Sequence, residues 1–322
     1  MASNMNYPVF YEKISPSFIT EIIDTYSPTA IYEPFCGAGL FLNYCKQQKI
    51  KGENIQVIGN ELTSFGFMAS KGLNENNNII LNEKIIQKLT NIKSKVDYNI
   101  FLERWIKLYN FSEEQIKWLA YWRDMLDGVH IYITGMVMVA IFWIMNYWLN
   151  QQKYKDQSIP VSLKPIPDIM REYLFKINYL IYDNNQINSI FHEDAILISP
   201  FVDVDMAYIN FPSQTGYYKE NPALALCEAW WQRQPELNLP EFYRNRSFQK
   251  AETQEQYLET LRTFFHAFSS IKTWIIFYHP RKDFSVTLLK NIVNSFRKIE
   301  KVIAIGPSTA RQVEKSYLII AT

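Results

Sequence analysis

A short stretch near the amino terminus, residues 30–41, is the feature that most constrains how this chain can fold. Its first three residues are apolar and suit a buried strand, and Pro34 ends that strand because proline cannot donate a hydrogen bond to a ladder. Gly37 and Gly39 allow backbone angles and close approaches that a side chain would forbid, and a helix pattern opens at Leu40. Such a turn is where an open α/β sheet binds a nucleotide-like ligand, although an ordinary βα turn has the same form.

An acidic residue follows the second predicted strand at the distance expected for a nucleotide-binding fold. Glu61 lies in the strand segment 55–62, 22 residues after Gly39. In such folds an acid about 20 residues after the glycine turn accepts hydrogen bonds from ribose hydroxyls. An exposed glutamate at a strand end is the alternative. No third glycine follows Gly39 at the required spacing, which argues against a dinucleotide fingerprint.

Seven segments have the apolar, β-branched or aromatic pattern of strands, and helix patterns lie between most of them. The last two strands are separated only by a short polar turn, with no room for a helix. The sequence therefore predicts an α/β fold of the Rossmann-like kind, a parallel sheet closed by a terminal antiparallel hairpin. The predicted strands cover residues 30–32, 55–61, 189–191, 206–210, 273–278, 302–305 and 317–320.

Composition narrows the class of protein. The 322 residues are 48% hydrophobic, enough for a sizeable core, and the net charge of +1 means that any nucleic-acid contact must come from local patches. Three scattered cysteines do not suggest a disulfide framework, and four histidines without paired spacing do not suggest a metal site. Residues 1–8 lack the basic and apolar regions of a signal peptide, so we expect a cytoplasmic protein.

A helical region over residues 101–150 contains an uncharged run from 131 to 148, long enough to be considered as a membrane helix. A single span there would put the glycine turn and the later strands on opposite sides of a membrane. We therefore interpret the run as a buried helix. The alternative, a membrane protein anchored by this run, predicts that the chain requires detergent for purification.

The segment E-P-F-x-G-A-G, residues 33–39, resembles the cofactor loop of S-adenosylmethionine (SAM)-dependent DNA adenine methyltransferases of the Dam type. The resemblance implies a class I SAM-dependent methyltransferase fold. It also implies that Glu33 and Phe35 line the methionine and adenine ends of SAM. The cofactor-binding residues expected on this basis are Tyr11, Lys13, Glu33, Pro34, Phe35, Gly37, Gly39, Glu61 and Asp194.

Three of these positions have an alternative interpretation. Tyr11 and Lys13 are the nearest matches to an aromatic and a lysine that cover SAM in the family, but the family's Gly-Gly-Lys is absent. A solvated lysine beside a packing aromatic explains them equally well. Asp194 fits the acid that lies between the SAM adenine and the target pocket in related enzymes, and it equally fits a cap of the following helix.

A second motif, Asn210-Phe211-Pro212-Ser213, occupies the place of Asp-Pro-Pro-Tyr in amino-methyltransferases, and these four are the expected catalytic residues. In that motif a side-chain oxygen and a backbone carbonyl accept the two hydrogens of the adenine N6 amine, and a terminal aromatic stacks on the flipped base. Asn210 supplies the first acceptor and the Phe211 carbonyl the second. Phe211 replaces a stiffening proline and Ser213 cannot stack, so we expect reduced rigidity, with Tyr217 or Tyr218 as substitutes for the stacking aromatic.

The separation of 171 positions from Gly39 to Asn210 makes room for a target-recognition insertion between the two motifs. We expect a discontinuous catalytic domain, residues 1–80 and 185–322, and a helical insertion, residues 81–184. Aromatic and basic residues also interleave over 230–250, a composition that suits phosphate contact and base stacking, or equally a loop over the core. The expected DNA-binding residues are Lys153, Lys155, Tyr217, Tyr218, Arg244 and Arg246.

The sequence thus favours transfer of a methyl group from SAM to adenine N6 in double-stranded DNA, in a restriction–modification or defence system. A cognate nuclease or defence subunit is a further expected partner. Phe211 and Ser213 together support one alternative, a weakened or inactive methyltransferase-like subunit that binds DNA. The near-neutral charge supports another, a SAM enzyme that acts on RNA, protein or a small molecule.

Overall fold

The structure is a computed structural model, in which the helices and strands alternate along much of the chain. The described residues are 16–92, 100–153, 164–212, 222–234, 248, 251, 253–280, 284–305 and 316–322.

Nine strands are present in the described residues, and seven of them form one sheet. All seven strands predicted from the sequence lie in that sheet. The strands are β1 (Ala30–Glu33), β2 (Lys49–Ile50), β3 (Glu53–Asn54), β4 (Gln56–Asn60), β5 (Ser189–Phe191), β6 (Met206–Ile209), β7 (Thr273–Tyr278), β8 (Ile299–Ile305) and β9 (Ser316–Ala321). β2 and β3 pair in a separate small hairpin that the sequence patterns did not predict.

Twelve α-helices surround the sheet or pack beside it within the described residues. They are α1 (Pro16–Tyr26), α2 (Leu40–Lys46), α3 (Ser64–Ser70), α4 (Glu83–Leu89), α5 (Ile100–Tyr109), α6 (Glu113–Met125), α7 (Ile131–Lys153), α8 (Ile166–Asn178), α9 (Ala195–Ile198), α10 (Pro222–Trp231), α11 (Gln254–Ala267) and α12 (Val286–Asn294). One π-helical turn, Lys71–Glu75, continues α3, and one 3₁₀ turn, Ser199–Phe201, follows α9.

The strand order is β5-β4-β1-β6-β7-β9-β8, and β9 runs in the opposite direction to the other six described strands of this sheet. The order reverses between β1 and β6, where Tyr32 lies beside Ala207. In an open α/β sheet, ligands bind in the crevice outside the carboxyl ends of the strands at such a switch point. The architecture is a mostly parallel seven-stranded sheet flanked by helices, compatible with a Rossmann-like fold.

The central strands are buried on both faces, which explains their nearly continuous apolar sequences. Alternate residues of each strand enter different clusters. Tyr32 and Ile276 pack with α9, α11 and α12 on one face, whereas Ile31 and Ile275 pack with α1 and α2 on the other. The period of two along each strand therefore builds two separate cores.

A third apolar core belongs to the helices α3 to α8 and α10, and α7 passes through it. Gly135 of α7 meets Gly72 of the π-helical turn so closely that a Cβ added at position 135 would lie 2.1 Å from the Met68 carbonyl oxygen. The segment 131–151 is long and apolar enough to cross a membrane, and 72% of an apolar stretch of 18 residues within it is buried inside the protein. This burial is consistent with the interpretation of the run as a core helix.

One edge of the sheet is closed by a side chain. β5 is the edge strand, and its Ile190 N–H donates to the Glu75 carboxylate at 2.7 Å. An edge strand normally presents unpaired backbone groups, so this carboxylate occupies a position that another strand would need.

Lys46, in the last turn of α2, is fully buried. Its ammonium donates to the Asn76 carbonyl oxygen at 2.8 Å. Burial lowers the pKa of this lysine to about 8, although the charge of Asp183 opposes the shift. The cost of removing an ammonium from water explains the direction.

The free energy of unfolding should depend on pH through this lysine. Between pH 8 and about 10.5 the unfolded chain keeps the Lys46 proton and the folded chain loses it, so stability rises with pH. We expect the difference between wild type and Lys46→Met, measured by urea unfolding, to grow by roughly 3 kcal/mol across this window. Lys49→Met makes the same replacement at an exposed lysine and is the matched control. A flat difference for Lys46→Met would contradict the expectation.

Candidate functional site

Two glycines in the loop after β1 have backbone angles that other residues disfavour, and one of them also has no room for a side chain. Gly37 and Gly39 have φ of 54° and 73°, in the left-handed region that side chains disfavour. A Cβ at position 39 would lie 2.2 Å from the Asn74 Nδ2 atom and 2.3 Å from the Ser70 hydroxyl oxygen. Gly39 is therefore fixed by its contact with the segment behind the loop, and its missing side chain does not face a ligand.

The carboxylate of Glu61 hydrogen-bonds the backbone of this loop. One carboxylate oxygen accepts the Gly37 N–H and the other accepts the Thr63 N–H, each at 2.8 Å. Burial raises the pKa of the Glu61 carboxyl, and the hydrogen bonds from Thr63 and Gly37 oppose that shift. The Thr63 hydroxyl also hydrogen-bonds this carboxylate. A carboxylate has about four lone-pair sites, so one acceptor site remains for a ligand.

A cleft opens over the carboxyl ends of β5, β4, β1 and β6, at the switch point of the sheet. Its volume is about 490 Å³ when the space open to solvent is included. Three of the expected cofactor residues and one expected catalytic residue line it together. The described lining residues are Phe35, Asn60, Glu61, Leu62, Thr63, Glu193, Asp194, Ala195, Pro212 and Phe248.

The cleft is acidic. Its described lining includes the carboxylates of Glu61, Glu193 and Asp194 and includes no lysine or arginine. Such a wall attracts a cationic ligand and repels a phosphate, because like charges in a partly desolvated site are costly. Phe35 adds a partly exposed ring to the same wall.

The other residues of the first motif lie beneath this surface. Glu33 and Pro34 are buried and are not among the described lining residues of the cleft. The Pro34 carbonyl accepts from the Asn60 amide at 3.2 Å, and the same amide donates to the Glu193 carbonyl at 2.9 Å. Asn60, which the sequence patterns did not single out, thus ties the end of β1 to the end of β5.

Asp194 is the residue directly before α9. Its carboxylate accepts the Ile196 N–H at 3.0 Å and caps α9, and the residue also lines the cleft. The cap orients the side chain whether or not a ligand uses it.

The second motif follows β6 directly and is anchored by aromatic side chains. The Phe211 ring lies 5.9 Å from the Tyr278 ring in a stacked arrangement and meets Phe265 edge-on. The Pro212 carbonyl accepts the Tyr257 hydroxyl at 2.8 Å. Phe211 therefore fills the core beside β7, so packing supplies part of the rigidity that a proline would have given. Asn210 is half-buried beside it.

Two residues of this neighbourhood carried little signal in the sequence. Tyr257 has only the periodicity of a buried helix position, which predicts packing and no contact with the Pro212 loop. Phe248 belongs to the interleaved aromatic and basic stretch, and it packs edge-on against Phe35 at 5.4 Å. It forms part of the cleft wall.

The remaining described members of that stretch pack onto the helices. Trp230 is fully buried and donates to the Leu119 carbonyl at 2.9 Å. Arg233 forms ion pairs with Asp127 at 2.6 Å and Asp124 at 3.3 Å. Burial removes Trp230 from contact with a base, whereas a phosphate contact by the exposed Arg233 stays a prediction.

Several expected site residues cannot be placed. Lys153 is the last residue of α7, and nothing is described of its side chain. The expected residues outside the described part of the chain are Tyr11, Lys13, Lys155, Ser213, Tyr217, Tyr218, Arg244 and Arg246. Their predicted roles stay predictions.

The contact behind Gly39 can be measured by comparing two glycines with positive φ. Gly39→Ala adds both backbone strain and a clash with Ser70 and Asn74, so we expect a loss of roughly 2–5 kcal/mol in the free energy of unfolding. Gly52 has φ of 92° and nothing within 4 Å of an added Cβ, so Gly52→Ala should cost only about 1–2 kcal/mol. Equal losses in denaturant unfolding would mean that the loop relaxes away from the helix.

Comparison with known proteins adds no assignment to this geometry: no protein-family model and no curated protein matches the sequence.

Proposed function

We propose that this protein binds SAM in the switch-point cleft and transfers its methyl group to adenine N6 in double-stranded DNA. The observation that carries the proposal is the meeting of two sequence motifs at one cleft. Phe35 and Glu61 come from the first motif and its partner strand, and Pro212 comes from the second.

The topology supports the same proposal. The resemblance to Dam-type adenine methyltransferases implies a parallel sheet closed by a terminal antiparallel hairpin, and β8 and β9 pair in that way. β9 also pairs antiparallel with β7, so the hairpin completes the sheet on the side of the second motif.

The charge and the side chains of the cleft lining support SAM as the ligand. SAM supplies a methyl group on a positively charged sulfur, and its ammonium and carboxylate leave a net positive charge. The three carboxylates of the described lining favour that charge. Glu61 has one acceptor site left for a ribose hydroxyl, and Phe35 offers a ring for the adenine.

The residues after β6 suit an amine substrate. The Asn210 amide oxygen and the Phe211 carbonyl would accept the two hydrogens of N6, which concentrates electron density on a poorly nucleophilic nitrogen. A base that takes part must leave the duplex stack before it enters such a cleft. Phe211 and Pro212 hold the carbonyl in place through their contacts with Tyr278 and Tyr257.

The first experiment is a calorimetric titration of SAM into the purified chain, followed by tritiated-methyl transfer to mixed genomic DNA. Binding with transfer to adenine is the expected result. Binding without transfer would favour a methyltransferase-like DNA-binding subunit, the alternative that the Phe211 and Ser213 departures support. Absence of SAM binding, with and without DNA, would overturn the proposal.

Asn210→Ala separates transfer from cofactor binding. It removes one hydrogen-bond acceptor for N6 and leaves the acidic cleft wall unchanged, so we expect transfer to fall about 100-fold or more. SAM affinity should change less than about twofold. Asn150→Ala, an exposed asparagine on α7, is the matched control and should leave both quantities unchanged. Retained transfer in Asn210→Ala would mean that the amine is held elsewhere.

The acidic wall predicts a dependence on ligand charge. Glu193→Gln removes one negative charge and keeps an oxygen to accept the Asp194 N–H, a bond of 2.8 Å. We expect SAM affinity to fall about threefold, and the affinity for S-adenosylhomocysteine, which lacks the sulfonium charge, to stay nearly constant. The exposed Glu255 provides the control Glu255→Gln. Equal weakening of both ligands would show that Glu193 acts through shape.

A further inference from the structure

We propose that Tyr257 is the positioning residue that fixes the loop Asn210–Pro212 for the reaction. That Tyr257 holds the loop follows from the geometry alone, whereas its effect on methyl transfer rests on the proposed function. The Tyr257 hydroxyl donates to the Pro212 carbonyl at 2.8 Å, and the side chain is only 3% exposed. A hydrogen bond in such a dry environment is stronger and less easily replaced by water than one at the surface.

The start of α11 determines where this hydroxyl lies. Thr253 and Gln256 form a capping box, in which each side chain accepts the backbone N–H of the other. Tyr257 follows directly, and its own N–H donates to the Thr253 carbonyl at 3.0 Å. The cap therefore fixes the first turn of the helix, and with it the origin of the tyrosine side chain.

The ring of Tyr257 is held on two sides. It meets the Phe284 ring at 5.7 Å and the Phe248 ring at 6.1 Å, both near edge-on. Phe248 in turn contacts Phe35 at 5.4 Å. Tyr257 thus joins the Phe35 wall of the cleft to the loop that carries Asn210, and it does so with a ring that has few rotamers to choose from.

The position matters because the first proline of the related motif is replaced here. Phe211 restrains the loop through ring packing against Tyr278 and Phe265, and these contacts act on its side chain. Tyr257 acts on the backbone, at the carbonyl two residues after Asn210. A displacement of about 1 Å at a reacting group can cost roughly 100-fold in rate, so a backbone restraint beside Asn210 affects catalysis without touching the substrate.

The test is Tyr257→Phe in the full-length chain, because this change removes one oxygen and keeps the ring. Hydrogen exchange of the peptide that contains residues 206–212 should become about 3–10-fold faster, as expected for the loss of one buried hydrogen bond. The turnover number for methyl transfer should fall about tenfold, while the dissociation constant of SAM stays within about twofold.

Tyr121→Phe is the matched control. Its hydroxyl donates to the Lys88 carbonyl inside the helical core, away from the cleft, so the same chemical change is made elsewhere. It should leave exchange in residues 206–212 and turnover unchanged, whatever its effect on overall stability. If Tyr257 acted only through the overall stability of the fold, Tyr257→Phe and Tyr121→Phe would change exchange in residues 206–212 and the turnover number to the same extent.

Two results would overturn the inference. One is unchanged exchange of residues 206–212 in Tyr257→Phe, and the other is faster exchange with an unchanged turnover number in an active protein. If the wild-type chain transfers no methyl group, the proposed function fails by that observation, and the exchange measurement still decides whether Tyr257 holds the loop.

Discussion

The buried carboxylate of Glu61 is the interaction on which the cleft depends. It joins the end of β4 to the glycine loop after β1 through the Gly37 N–H, and it joins both to the start of α3 through the Thr63 N–H. A second buried carboxylate, Glu228 of α10, accepts the next two N–H groups, those of Ser64 and Phe65. The sheet and the helical core are therefore connected by two acids that share the first turn of α3, where the helix dipole favours negative charge.

Placing two carboxylates close together in the protein interior costs electrostatic free energy. Burial raises the pKa of Glu228 as it does that of Glu61, and the two carboxyls repel one another. Backbone N–H groups compensate, because each acid accepts two of them. A positively charged ligand in the same cleft would reduce this repulsion further. The charge of the proposed cofactor would therefore also stabilise the buried acids.

The sheet could be predicted from the sequence because its strands are short apolar runs ended by proline, glycine or an acid. The presence of Glu61 in the cleft lining could be predicted from its distance to Gly39 along the sequence. The contacts of Gly39 with Asn74 and of Tyr257 with Pro212 could not, because they join segments 35 and 45 residues apart, and nothing local encodes such contacts. The role of Phe211 could not be predicted for the same reason. In the sequence it stands where the related motif has a proline, whereas in the structure its ring packs against those of Tyr278 and Phe265.

The carboxylate of Glu75 at the Ile190 N–H has a consequence for assembly. A strand from another molecule could extend the sheet beyond β5 only by displacing a charge-assisted hydrogen bond from a carboxylate that Lys71 also holds, at 2.5 Å. Growth of a continuous intermolecular sheet is thus disfavoured at this edge. Any oligomer formed on this side would have to associate through side-chain surfaces, whose composition can change without altering the strands that support the cleft.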